Sequence, residues 1–258
     1  MSQHNESILI GGQQLSGILM GADYTVTRLS GWWERPAVKR NAAARELSDG
    51  DFPTPWKFES RYIDIGGRVK CTDHGQMHHI MDQLNGLCVT RREWLTIQGH
   101  GQTTAALVEP DDMPDFSTVT DTYLQFGLHF KATDPRRYGD SHALSIGSDY
   151  ETATQSGNYP SWPVVIVTAQ SAAQGFTLEA SSPRGTSAWT YTEGAWQGFE
   201  YRIDMRTGQI FVDGVERPER VQDMRTVPVR PREPMRFRVR PVDTGTVSAV
   251  VHYSDVWI

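Results

Sequence analysis

The sequence predicts a mainly β protein built as two β-rich domains, on three observations. Apolar and polar residues alternate in stretches along the whole chain. The clearest case sets Leu124, Phe126, Leu128 and Phe130 against Gln125, Gly127, His129 and Lys131. A period of two marks a half-buried strand. Twenty-three glycines, many at the ends of these stretches, supply tight turns. One segment alone, in 258 residues, holds a sustained helical period.

In chain order, Ser7–Ile10 reads as a first strand stopped by Gly11-Gly12, and a second lies around Tyr24–Leu29. Residues 31–56, GWWERPAVKRNAAARELSDGDFPTPW, show neither strand alternation nor a helical face, apart from a helical turn allowed at 41–47. So long a loop in a compact domain is usually functional. Phe58–Ile65 and Arg68–Cys71 read as strands joined by a Gly66-Gly67 turn. Residues 73–86 predict the helix: Asp73 can cap it, Met77, Ile80, Met81 and Leu84 share a face, and Gly86 stops it. Arg92–Gln98 and Thr103–Glu109 form a hairpin across GHG, 110–115 is an acidic loop, and Thr118–Lys131 is one long strand.

Past Gly139 lysines vanish and no helix is predicted. PVVIVTAQ (163–170), FTLEA (176–180), AWTYT (188–192), FEYRIDM (199–205), QIFVDG (209–214), MRFRVR (235–240) and VSAVVHY (247–253) are seven short strands, the pattern of a β-sandwich. Pro135 donates no ladder hydrogen bond and biases Asp134 to an extended conformation, so the preceding strand must end there. The expected domains are 1–135 and 136–258. The strand 247–258 is the one segment whose domain the sequence leaves open. Asp134, Pro135, Arg136, Arg137 and Tyr138 are expected to form the inter-domain joint.

The net charge of -6 argues against a general nucleic-acid binder. Residues 1–135 hold 12 basic and 17 acidic groups, and residues 136–258 hold 13 and 14. No apolar run reaches 18 residues, so no membrane insertion is expected. The N-terminal residues show no secretory signal, and two cysteines make no disulfide framework, which fits synthesis in a reducing cytoplasm.

The chemistry-bearing clusters do not assemble into an active site. His74 and His78 have ligand spacing on the helix, near Cys71 and Cys88, yet no CxxC or HExxH accompanies them, and no metal is expected. The carboxylate pairs Asp111/Asp112 and Glu200/Asp204 read as solvated charge. Neither a Gly-x-Ser-x-Gly elbow nor a phosphate loop is present, so no catalytic residue and no cofactor is expected. WQGFEYR (196–202) resembles the sugar-contacting stretch of galectins with one residue too many. The His-x-Asn-x-Arg partner is missing, and a buried tryptophan is the simpler expectation for Trp196. Arg236, Arg238 and Arg240 share one strand face, read as solvated charge that discourages edge pairing. Trp32, Trp33 and Arg35 are the candidate partner interface, since Trp and Arg are typical anchors of protein contacts.

The ordered set GWWERPAVKRN with Gly50-Asp51-Phe52, the short helix, Ala132 to Tyr138, GNYPSWPVVIV, YRIDMRTGQIFVDG and a closing SDVWI resembles the distal tail protein (Dit) family of long-tailed bacteriophages. The resemblance implies an N-terminal β domain that assembles with copies of itself into a ring, commonly a hexamer, and an outward galectin-like β-sandwich that generally lacks a sugar site. It implies a non-enzymatic adaptor in the virion, at the tail tip, between the tail tube, the tape-measure protein and the tail hub or tail-associated protein, with DNA passing through unbound. The alternative is a carbohydrate-binding sandwich aiding host adhesion.

Overall fold

The computed structural model describes residues 6–19, 21–40, 45, 49, 52, 55–217, 221–222 and 226–258. The chain is mostly β and forms two compact units, Met1–Arg137 with Ile258, and Tyr138–Trp257.

The first unit contains β1 (Ser7–Ile10), β2 (Gln13–Gln14), β3 (Gly17–Leu19), β4 (Ala22–Ser30), β5 (Val38–Arg40), β6 (Trp56–Phe58), β7 (Arg61–Lys70), helix α1 (His74–Asn85), β8 (Glu93–Gly99), β9 (Gln102–Pro110), β10 (Asp115–Thr120) and β11 (Tyr123–Ala132). One antiparallel layer runs β3-β4-β7-β11-β10, and the other β2-β1-β8-β9. They join where Phe130 and Lys131 of β11 pair with Pro110 and Glu109. Alternation decides which residues go inside. Ile8, Ile10, Leu95, Ile97, Ala106 and Val108 meet Ile63, Ile65, Val69, Leu124, Phe126 and Leu128 in one buried cluster. Helix α1 adds Met77, Ile80 and Leu84 to it. Asp73 caps the helix by accepting a hydrogen bond from the Gln76 amide. Gly86 follows the helix in a right-handed conformation, so its left-handed freedom is not used.

Three expectations need correcting here. Gly66 and Gly67 are not a turn: β7 runs through them unbroken. The reason is long-range packing. A Cβ on Gly67 would lie 2.3 Å from Phe126 Cζ, so the missing side chain makes room for a ring from the neighbouring strand. The strand expected over Thr118–Lys131 is a hairpin, β10 and β11, folded at Asp121-Thr122. The stretch expected as a loop, 31–56, holds β5, which pairs with β6 at its far end in a short ribbon, Val38, Lys39 and Arg40 against Phe58, Lys57 and Trp56. The helical turn allowed at 41–47 falls almost entirely outside the described residues.

The second unit contains β12 (Arg137–Ile146, beginning with the last residue of the first unit), β13 (Glu151–Ala153), β14 (Val164–Ala169), β15 (Phe176–Ser182), β16 (Gly185–Tyr191), β17 (Glu200–Asp204), β18 (Gln209–Val212), β19 (Val215–Glu216), β20 (Val221–Gln222), β21 (Met235–Pro241) and β22 (Val247–Trp257). One sheet runs β19-β18-β17-β14-β22-β12 and the other β13-β21-β15-β16-β20. Val165, Val167, Tyr201, Ile203, Ala249 and Val251 of the first share a core with Phe176, Leu178, Trp189, Phe237 and Val239 of the second, a β-sandwich. The seven strands expected here are present, and β12, β13, β19 and β20 join them. Asp213 and Gly214 both take positive φ (46° and 79°) in the β18–β19 turn, as an Asp-Gly hairpin requires. The last strand pairs with β14 from Val247 to His252, inside the second unit.

Candidate partner-binding surfaces

Two features singled out in the sequence meet on one buried side chain that was not. Arg61 opens β7 on the inward face, in step with Ile63 and Ile65, and is only 1% exposed. Its Nη1 donates to the carbonyls of Gly31 (2.6 Å), Trp32 (2.9 Å) and Glu34 (2.7 Å), and its Nε donates to the Pro135 carbonyl (2.9 Å). One guanidinium thus ties the start of the aromatic loop to the segment 134–137. Burial pushes its pKa down to about 10, helped by the like charge of Arg137 and opposed by Glu34. It stays charged at neutral pH.

Arg137 is buried beside it and sits over the rings of Trp33 (5.0 Å to the centroid) and Trp32 (5.8 Å). Burial pushes its pKa down to about 10, opposed by the charge of Glu34. Arg136 is chelated by Asp134, Nε to Oδ1 at 2.7 Å, which fixes the turn around Pro135. The sequence signal for this cluster was a charge at an inward position of an alternating strand, at Arg61.

The candidate interface residues separate on this geometry. Trp32 has no exposed surface and packs in the core cluster of its own unit. Trp33 is half-buried, donating from Nε1 to Glu6 Oε1 at 2.8 Å and meeting His100 edge-on. Arg35 is exposed. On the β5–β6 ribbon, Lys39, Arg40, Trp56 and Lys57 are also exposed.

A pocket of about 420 Å³ lies between the end of α1, the 111–114 loop and β11. Leu84, Leu87, Leu128 and Phe130 make it apolar, and exposed Val89 and Met113 extend that surface outward. Asp111 and Asp112 add acidic groups to its wall. Apolar surface of this kind, edged by charge, is the usual form of a docking site.

Next to the pocket, His129 links three strands. Its Nδ1 is 2.6 Å from Asp64 Oδ1 on β7, and its Nε2 is 3.2 Å from Asp115 Oδ2 on β10. The Asp64 and then the Asp115 hydrogen bond raise its pKa above the ordinary histidine value. A raised folded pKa contributes stability that is complete below the unfolded value, about 6.5, and is lost as pH rises through the folded value. The denaturation midpoint of the wild type should therefore fall from just above pH 6.5 upward, relative to His129→Gln. Parallel pH profiles for the two proteins would contradict this.

In the second unit, Trp196 is 59% exposed, against the expectation of a buried tryptophan. Tyr201 Oη holds its loop, accepting from the Trp196 amide and donating to the Gly194 carbonyl. On the arginine face, Arg238 pairs with Glu179 at 2.6 Å and lies over Tyr150. That arginine is committed to its own sheet.

No protein-family model matches the chain, and no curated protein matches it either. Solved structures do. The Dit protein (gp 19.1) of phage SPP1, described as a paradigm of the hub adsorption apparatus in phages infecting Gram-positive bacteria, superposes with a TM-score of 0.75 at 10% identity. The match covers 98% of this chain and 99% of that one. Chains from the phage p2 baseplate in its activated conformation, with Ca and with Sr, align at 5% identity with TM-scores of 0.49 and 0.45, each covering 96% of this chain and 97% of the other. Over nearly its whole length, then, this chain has the fold of the SPP1 Dit protein.

Proposed function

We propose that this chain is a structural, non-enzymatic component of a long-tailed phage, a distal tail protein placed in the virion at the tail tip. The observation that carries the reading is the full-length likeness to the SPP1 Dit protein, through both units. In this reading the first unit closes into a ring with copies of itself, a hexamer in the form the sequence resemblance implies. Ring closure needs two different surfaces on each subunit. The acidic-walled pocket beside α1 and the cationic, aromatic β5–β6 ribbon, with Arg35 close by, are two such surfaces. The second unit is the galectin-like sandwich that the sequence resemblance implies. The tail tube, the tape-measure protein and the hub or tail-associated protein are the partners. The excess of acidic groups in residues 1–135 suits a conduit that does not hold passing DNA phosphates.

Light scattering tests the ring. The full chain, alone or added to isolated tail tubes, should give particles of six times its 29.0 kDa mass or rings at the tube ends. A strict monomer at high concentration, with bare tube ends, would refute self-assembly.

A further inference from the structure

The exposed side of α1 carries the two histidines that the sequence places at ligand spacing. His74 and His78 sit one turn apart, both exposed, with their Nε2 atoms 3.0 Å from each other. Their rings are nearly perpendicular, at 85°. A divalent transition metal binds imidazole nitrogen at about 2.0–2.1 Å. Two such bonds at about a right angle place the nitrogens about 3.0 Å apart, so the observed separation matches the bite of one cation. A hydrogen bond between the rings also fits that distance, with one nitrogen donating. A cation requires both lone pairs, which each ring offers when its proton is on Nδ1.

We infer that His74 and His78 form a two-histidine chelate for a borderline divalent cation of the nickel, copper or zinc class. Among the described residues no third histidine, cysteine or carboxylate completes a protein cage, so water fills the other positions. The cysteines take no part. Cys71 and Cys88 are buried, and burial raises both thiol pKa values, that of Cys88 to about 11, which disfavours the thiolate a metal needs. Imidazole without thiolate suits nickel, copper and zinc, whereas magnesium and calcium prefer oxygen. His79 is a built-in comparison: it lies on the same helix, but its Nε2 lies 3.1 Å from Gln83 Nε2. Because the chelate needs one intact helical turn between its ligands, the cation should bind the folded chain in preference to the unfolded one.

Isothermal titration of the full chain with nickel chloride at pH 7.5 tests this. Saturable one-to-one binding is expected, weakened at least about tenfold by His74→Gln and by His78→Gln and unchanged by His79→Gln. Nickel should also raise the melting temperature of the wild type and of His79→Gln, but not of the other two variants. The inference is overturned if no saturable binding is found up to millimolar nickel. Binding that survives His74→Gln also overturns it, since the cation would then be held elsewhere.

Discussion

Arg61→Met is expected to cost the first unit about 3–5 kcal/mol, a large share of the stability of an ordinary domain. Four carbonyls, of Gly31, Trp32, Glu34 and Pro135, lose their donor together. The Trp32 contact is buried and the other three are partly buried, so the full penalty of about 1–3 kcal/mol for an unpaired acceptor falls on the first and a smaller one on the rest. Removing a guanidinium that is itself costly to bury offsets part of the loss. Arg61→Lys should fall between wild type and Met. An ammonium keeps the charge but lacks the planar fork that serves the loop and the Pro135 carbonyl at once. Tryptophan fluorescence during urea unfolding reads the effect directly, because Trp32 and Trp33 begin the loop that Arg61 holds. A loss below about 1 kcal/mol would show that the cluster is ornamental to stability.

Gly31→Ala should be nearly as damaging, by a different route. Gly31 has φ of +77°, a conformation that costs a residue with a Cβ about 1–2 kcal/mol. The added Cβ would also stand 1.8 Å from the Tyr62 carbonyl oxygen, which is backbone of β7 and cannot swing aside. The loop must therefore lift, taking the Gly31 and Trp32 carbonyls off Arg61. A total loss of about 3 kcal/mol or more is expected. Because the two substitutions break the same contacts, their combination should cost less than the sum of the separate losses by about 1 kcal/mol or more. Simple additivity in a double-mutant cycle would mean that the loop and Arg61 are independent.

Where the governing interaction is local, the fold is legible in the sequence. Asp73 caps α1 three residues before the amide it accepts from, Asp213-Gly214 makes its hairpin within one turn, and the alternation from Leu124 to Phe130 marks an inward face that the structure buries. Legibility fails where a distant strand decides. Gly66-Gly67 looks like a turn because nothing nearby shows that Phe126, some 60 residues on, fills the space above Gly67. Trp32 looks like a partner anchor because adjacent tryptophans in a polar loop suggest exposure, whereas Arg61 and Arg137 tie that loop inward. Arg61 itself was in view as a charge in step with Ile63 and Ile65, but its four acceptors come from segments about 30 and 74 residues away. The ordered set of motifs resembling distal tail proteins was readable without any of this, and the fold likeness to the SPP1 Dit protein agrees with it along the chain.

The central claim is a place in a particle, so the most direct measurement is electron microscopy of intact phage with an antibody label on this chain. The account predicts label confined to the distal end of the tail, surrounding a ring at the end of the tube. Label on the head or along the tail shaft, or a tail tip free of this chain, would contradict it.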